Sequence, residues 1–264
     1  RQKMEIKRIK ACDTVWLGKE IAYYEETDST NTRLKVWAKE GAKEGSVVIA
    51  DQQTKGKGRQ GKVWESPKED GIWMSILVKP AISMDKIPQI TLLAGLAICE
   101  VLRDVTGLDT MIKWPNDLVV NGKKVCGILC ELVKVGDETA VIIGVGINVN
   151  SKKFPDDLPY ATSLYLEGKE TYVRETIIKC LLEHLEGYYI LYKEVLSLEP
   201  ILKTYKTRCM NMNQEVQILG STYSFTGVVK DIDVEGRLVV ENSDGVYEYI
   251  LAGEVSVRGL YGYI

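Results

Sequence analysis

The run Lys113-Trp114-Pro115-Asn116-Asp117, closed by Asn121-Gly122 and followed by Lys124 and Gly127, sets two lysines, an amide and a carboxylate in one short unit. Pro115 can continue neither a helix nor a central ladder, because it lacks the N–H that both require, so a strand ends there. Asn121-Gly122 is the two-residue signal of a type I′ hairpin, whose central positions both need positive φ. The turn folds Lys124 back beside Asn116 and Asp117. An ordinary hairpin with solvated lysines at its ends would account for this stretch alone; a second cluster upstream weighs against it.

That cluster is Gln53-Thr54-Lys55-Gly56-Lys57-Gly58-Arg59-Gln60-Gly61-Lys62-Val63-Trp64, in which four cations and three glycines stand with no acid between Asp51 and Glu65. Glycines let backbone approach a ligand closely, and successive N–H groups with Lys and Arg make an anion cradle. Two familiar patterns nearly fit. Gly56-x-Gly58-x-x-Gly61 has the dinucleotide-binding spacing, but that motif opens a helix, and Pro67 argues against one here. Gly56-x-x-x-x-Gly61-Lys62 fits the Walker loop until Val63 stands where Ser or Thr must bind magnesium. A mobile basic surface loop is the plain alternative; Gln53 before and Trp64 after tip the reading toward a ligand site.

Working outward, Ile21 to Tyr24 reads as a strand, and Asp28-Ser29-Thr30-Asn31 offers helix N-cap residues. Leu34, Trp37, Ala38 and Gly41 then share one helical face. Ser46 to Asp51 reads as a buried strand that delivers the basic loop. Ile72 to Lys79 alternates, with Ile72, Met74, Ile76 and Val78 on one face. Pro88 stands near the start of an apolar helix running to about Arg103, and residues 1–17 are read as at most one short helix. Strands are predicted at 110–114, 117–121, 124–134 and 139–147, with Gly136-Asp137 at the last turn. Helices follow from Val173 to about Leu196 and over 200–209. Beyond Asn213 the texture changes to short strands at 215–219, 223–230, 237–241, 246–250 and 254–258, the spacing of a small barrel or sandwich. The domain boundary is placed near residue 212, giving units 1–212 and 213–264.

The chain's 264 residues are 45% hydrophobic, enough for one large domain or one with a small companion. A net charge of −3 carries no excess of positive charge for a broad nucleic-acid footprint. No apolar run is long enough for a membrane span and no signal-peptide pattern appears, so a cytoplasmic protein is expected. Of six cysteines none forms a Cys-x-x-Cys pair. Cys126 and Cys130 on one strand would stand roughly 13 Å apart, too far for a disulfide. The single histidine, His184, lies on an apolar-periodic helix and reads as a packed or surface residue. No zinc site and no histidine-based triad is available.

Together, Ser29-Thr30-Asn31, Gln53 to Trp64, Lys113 to Asp117, Lys124 with Gly127, and Gly144-Val145-Gly146-Ile147-Asn148 resemble the motifs of the biotin protein ligase family in order and spacing. The likeness is closest from about residue 20 to 150. It implies an α+β fold: a mixed-sheet catalytic domain like that of class II aminoacyl-tRNA synthetases, followed by an SH3-like barrel. It implies that biotin and ATP, with magnesium, give biotinyl-5′-AMP, from which biotin passes to a lysine of a biotin carboxyl carrier protein domain, such as that of acetyl-CoA carboxylase.

By the same resemblance, Lys124, Arg59 and Asp117 are the catalytic candidates. Biotin would be held by Ser29, Thr30, Asn31, Gln53, Gly56, Lys57, Arg59, Trp73, Lys124 and Gly127. Lys57, Arg59, Trp64, Asn116, Lys124 and Asn148 are assigned to ATP and the adenylate, and Asn116 with Asp117 to a metal ion. Ser29 and Thr30 also read as helix caps, and Trp64 also as a core tryptophan. Lys57 and Lys62 stand where arginine is common in the family.

Lipoate ligation is the nearest rival, disfavoured by the intact Lys113–Asp117 run and the Gln53 loop; a sensor that binds biotin without turnover is disfavoured by Lys124 and Arg59. Many family members carry an N-terminal winged helix-turn-helix, but only about twenty residues precede the first catalytic strand. The chain is therefore expected either to be monofunctional or to have lost that module, and no DNA contact is expected of it. A homodimer is compatible with the sequence.

Overall fold

The computed structural model describes residues 3–10, 12–253, 255–259 and 262–264. In the first unit α1 (Ile6–Lys10) precedes β1 (Ile21–Tyr24), α2 (Thr30–Lys39), β2 (Val47–Ala50), β3 (Gly71–Val78) and α3 (Ile87–Thr106). The hairpin strands β4 (Met111–Lys113) and β5 (Asp117–Val120) lead into the long pair β6 (Lys123–Val135) and β7 (Glu138–Asn148). Then come α4 (Leu164–Gly168), α5 (Arg174–Val195) and α6 (Glu199–Arg208). The order across this seven-stranded sheet is β1-β2-β3-β7-β6-β5-β4, parallel only between β1 and β2, so the sheet is mixed as expected. Strands β8 (Glu215–Gly220), β9 (Ser224–Ile232), β10 (Leu238–Asn242), β11 (Tyr247–Ile250) and β12 (Val255–Gly259) form an antiparallel five-stranded sheet in the order β11-β10-β9-β8-β12. Position 254, predicted to open the last strand, lies outside the described residues, as do positions 1, 2 and 11 of the predicted N-terminal helix.

Both faces of the main sheet are covered. Helices α3 and α5 pack on one face over Ile72, Met74, Ile76, Ile143, Val145 and Ile147. Helix α2 lays Leu34 and Ala38 on the other, over Val48, Leu77 and Ile142. This explains one departure from the sequence reading: β3 was expected to alternate, yet every residue from Gly71 to Val78 is buried, because its second face is covered too. Gly41 lies beyond the end of α2, exposed and at positive φ, rather than on its buried face. Helix α4 carried no apolar period in sequence; it is a single turn capped by Ser163, whose Oγ accepts from Leu166 N at 3.1 Å. Helix α2 covers only part of its face. The rest, over Gly127, Gly144 and Gly146, is open to a cavity.

The hydrophobic core runs on into the second unit through Val216, Ile218, Val229, Leu238, Val255 and Val257. The two units are also tied by Trp114 Nε1 donating to Gly236 O at 3.0 Å and Lys206 paired with Asp231 at 2.7 Å.

Candidate functional site

The cavity, about 760 Å³, has a floor of glycines from β6 and β7. Its walls are the 53–64 loop, the 113–117 turn, residues 154–161 and the chain's C-terminal end. The hairpin is built as its sequence demands. Asn121 and Gly122 take φ of 49° and 74°, the positive pair of a type I′ turn, and the Trp114–Pro115 peptide is cis. Between β5 and β6 the register slips: Leu118 faces Cys126 but Val119 faces Lys124, leaving Val125 as the extra residue of a bulge. Val125 and Cys126 consequently both enter the core. Lys124, which plain alternation would send to the opposite face from Gly127, is returned to the cavity side. Lys124 Nζ pairs there with Asp117 Oδ1 at 2.9 Å.

Asp117 is the hub of the charged wall. Burial pushes its carboxyl up, but Lys124, the Tyr263 hydroxyl and Lys113 outweigh burial and hold it below the usual carboxylate range. Lys113, buried with its Nζ 3.8 Å from the centre of the Tyr263 ring, is pushed down to about 8 by burial, which Asp117 only partly offsets. Arg59 reaches over from the loop: Nη1 donates to Asn116 Oδ1 at 3.1 Å, and Nη2 donates to Ala252 O and Val255 O at 3.0 and 3.1 Å. Six cations (Lys57, Arg59, Lys62, Lys113, Lys124 and Arg258) and three carboxylates (Glu65, Asp117 and Asp157) line the space, an excess suited to an anion.

The other end is neutral. Ser29 caps α2, its Oγ accepting from Thr32 N at 3.5 Å. Thr30 donates through N and Oγ1 to Gln53 Oε1 at 2.9 and 3.2 Å, and Gln53 Nε2 donates to Ser66 Oγ at 2.8 Å. Asn31 lines the cavity, but its amide is spent on the scaffold: Nδ2 donates to Glu131 Oε1 at 2.9 Å, and Oδ1 accepts from Ser75 Oγ at 2.5 Å. Gly144 must be glycine beside it, since a Cβ there would stand 2.5 Å from Asn31 Oδ1.

Trp64 lies over the glycine floor. A Cβ on Gly127 or Gly146 would meet its ring at 2.9 or 2.5 Å, and Lys124 Nζ stands 5.1 Å from the ring centre. Its indole N–H is buried without a partner among the described residues.

Of the residues singled out in sequence, Ser29, Thr30, Asn31, Gln53, Lys57, Arg59, Trp64, Asn116, Asp117, Lys124, Gly127 and Asn148 line this one cavity. Trp73 and Gly56 do not. Trp73 is fully buried under the loop and donates Nε1 to Pro67 O at 3.2 Å. Gly56 closes the loop's neck, accepting from Trp64 N at 3.0 Å where a side chain would strike Trp64 O and Ser66 Oγ. Both shape the loop from beneath.

The pair expected to hold a metal fits one poorly. Asp117 has one oxygen on Lys124 and the other on Tyr263; Asn116 accepts from Arg59 and donates to Ile128 O at 3.1 Å. Among the described residues no three His, Cys, Asp or Glu side chains cluster to hold a metal ion. Sequence reasoning missed Tyr160, Arg258 and Tyr263 on the wall and Ser75 and Glu131 beneath it. Ser75 was detectable as the one hydroxyl in an otherwise apolar buried strand; nothing local marked the others.

Residues 23–148 match the biotin/lipoate A/B protein ligase family, and residues 212–258 match the biotin protein ligase C-terminal domain. The chain is 36% identical over 234 residues to the bifunctional ligase/repressor BirA of Bacillus subtilis, covering 87% of this chain and 72% of that protein. It is 32% identical to the biotin–[acetyl-CoA-carboxylase] ligase of Mycobacterium tuberculosis, over 82% of this chain and 81% of that one. Among solved structures, the biotin protein ligase of Aquifex aeolicus in complex with biotin and ATP superposes with a TM-score of 0.81 at 31% identity, over 91% and 99% of the two chains.

Proposed function

The chain belongs to the biotin/lipoate A/B protein ligase family, and we propose that it joins biotin to ATP as biotinyl-5′-AMP and then passes biotin to a lysine of a carrier domain. The observation that carries this reading is the two-ended cavity: neutral hydrogen-bonding groups at Ser29, Thr30 and Gln53, and a cationic end at Arg59, Lys113 and Lys124. An uncharged ring system with a carboxylate tail suits such a space, and its volume is within the usual range for small-molecule sites. The C-terminal match to the biotin ligase domain favours biotin over lipoate.

In the first step a carboxylate oxygen of biotin bonds to the α-phosphorus of ATP, and pyrophosphate leaves with the electrons of the broken P–O bond. The carboxylate is already ionised at neutral pH, so no base is required. The obstacle is repulsion between two anions, about 4 kcal/mol at 4 Å and an effective dielectric of 20. Lys124, set by the bulge and by Asp117, is the cation placed to offset it, with Arg59 holding the loop over the product. Trp64 offers its ring face to adenine. Magnesium, in this reading, arrives on the triphosphate rather than in a site of the protein's own.

In the second step the amine of the carrier lysine attacks the biotinyl carbonyl, AMP leaves, and the amine loses a proton. Asp117, held ionised, is the candidate acceptor. Residues 1–212 would form the catalytic unit and 213–264 its C-terminal partner, the acceptor being a carrier domain of a biotin-dependent carboxylase. Quenched reactions with radiolabelled biotin should yield protein-bound biotinyl-5′-AMP before any carrier is added. In Asp117→Asn, adenylate formation should slow about tenfold as Lys124 loses its anchor, while transfer should fall at least about a hundredfold, the lower range for losing a positioned base. Equal loss of both steps would remove Asp117 from the proton transfer.

A further inference from the structure

Tyr263 lies near the end of the chain, 146 positions from Asp117, yet its hydroxyl donates to Asp117 Oδ2 at 2.6 Å. Its ring carries the Lys113 ammonium at 3.8 Å and stacks on Tyr160, the centroids 5.3 Å apart and the planes 23° off parallel. The Arg258 guanidinium lies 5.8 Å from the same ring. Tyr263 is itself held: Gly259 bridges to Gly262, folding the chain back, and a side chain at Gly259 would overlap the Ile264 backbone.

A carboxylate gripped from one side only is free to turn. The last torsion of an aspartate is broad and two-fold, and a lysine brings a flexible four-carbon stem. Lys124 alone, on Oδ1 at 2.9 Å, would not define where either group sits. The phenol supplies the missing constraint, since a ring with two torsions gives up little freedom on being fixed and its hydrogen bond to an ionised oxygen is of the stronger kind. With Oδ2 engaged, Oδ1 has one direction, and Lys124 follows it. The same ring gives the buried Lys113 cation an electrostatic partner.

We propose that Tyr263 is a positioning residue for adenylate formation, fixing Asp117 so that Asp117 fixes Lys124, and holding Lys113 in place with the face of its ring. The inference rests on the ligase reading and deepens it: the C-terminal unit completes the reacting centre instead of only packing beside it.

The test uses the full chain and biotin-dependent exchange of labelled pyrophosphate into ATP, with kcat and the two KM values resolved and the melting temperature measured. Tyr263→Phe keeps the ring and removes the hydroxyl; kcat should fall about tenfold, the scale of a small misplacement of a reacting group, with KM for biotin and ATP nearly unchanged and the melting temperature lowered by no more than the few degrees that one charge-assisted hydrogen bond is worth. Tyr263→Leu, losing the ring as well, should fall further. In an Asp117→Asn background Tyr263→Phe should add almost nothing, because the two residues act as one unit. Unchanged kcat in Tyr263→Phe, a loss that merely follows a lowered melting temperature, or effects that multiply in the double variant would overturn the proposal. Absence of exchange in the unaltered chain would defeat the ligase reading itself and take this inference with it. Normal exchange there with an equally fast Phe variant would defeat the inference alone.

Discussion

Among the described residues, Arg59 is the one cation of the 53–64 loop whose head group is anchored, with three hydrogen bonds, to Asn116, Ala252 and Val255. The side chains of Lys57 and Lys62 line the same cavity and make no hydrogen bond or ion pair among the described residues. Lysine keeps the charge of arginine but lacks its planar fork, so it cannot grip a phosphate at two points. A Lys57→Arg variant should therefore release biotinyl-5′-AMP more slowly, by roughly three- to tenfold, the worth of one added hydrogen bond. Filter retention of the labelled adenylate would measure this, and release at an unchanged rate would show that Lys57 does not reach the intermediate. At this scale much of the site was legible in sequence. Asn121-Gly122 and Pro115 carry their conformations in their own chemistry, so the position of Lys124 near Asp117 could be inferred. Trp73 could not be sorted the same way: a tryptophan two residues after the glycine that opens its strand fits a ligand wall and a buried prop equally well, and only the covering of both sheet faces decides for the prop.

Among the elements, α5 does more than cover the sheet. Three of its glutamates accept backbone N–H groups from the N-terminal segment: Glu175 from Glu5 at 2.7 Å, Glu183 from Asp13 at 3.1 Å, and Glu186 from Val15, Trp16 and Leu17 at 2.7, 3.0 and 2.9 Å. Burial pushes the Glu186 carboxyl up, but its three N–H donors outweigh that and hold it below the ordinary range. A carboxyl lowered by folding stabilises the protein above its unfolded pKa, and that contribution fades as pH falls through the folded value. Thermal melts from about pH 7 down to about pH 3 should therefore show a loss of stability on the acid side to which Glu186 contributes. Glu186→Gln should melt lower at neutral pH, by about 1–3 kcal/mol for the donors left unpaired, and lose less on acidification. An acid limb unchanged in the variant would assign the pH dependence to other carboxylates. The helix itself was legible from its apolar period. Its clasp was not, because glutamates on a helix read first as solvated and their partners stand about 170 residues away.

At the scale of the whole molecule, the cavity exists only where two sheets meet. The main sheet supplies the glycine floor and the hairpin; the second supplies the carbonyls that hold Arg59 and the strand leading to Tyr263. The sequence divides readily near residue 212, where the texture of the chain changes, and that change of texture hid the partnership. Strand patterns mark where each sheet buries its own side chains but do not say that Tyr263, beyond β12, meets Asp117 and Lys113. No helix among the described residues is long and apolar enough to cross a membrane. The two sheets together serve one cavity, with a neutral end and a cationic end.

The central claim is that this space activates the carboxylate of biotin, and isotope exchange tests it most directly. Incubated with ATP, magnesium and labelled pyrophosphate, the unaltered chain should move label into ATP when biotin is present and not when lipoate replaces it. Lys124→Ala should abolish that exchange, by at least about a hundredfold, the scale at which fixed electrostatic groups are felt in such sites. Exchange with lipoate in place of biotin, or exchange that survives the loss of Lys124, would contradict the account.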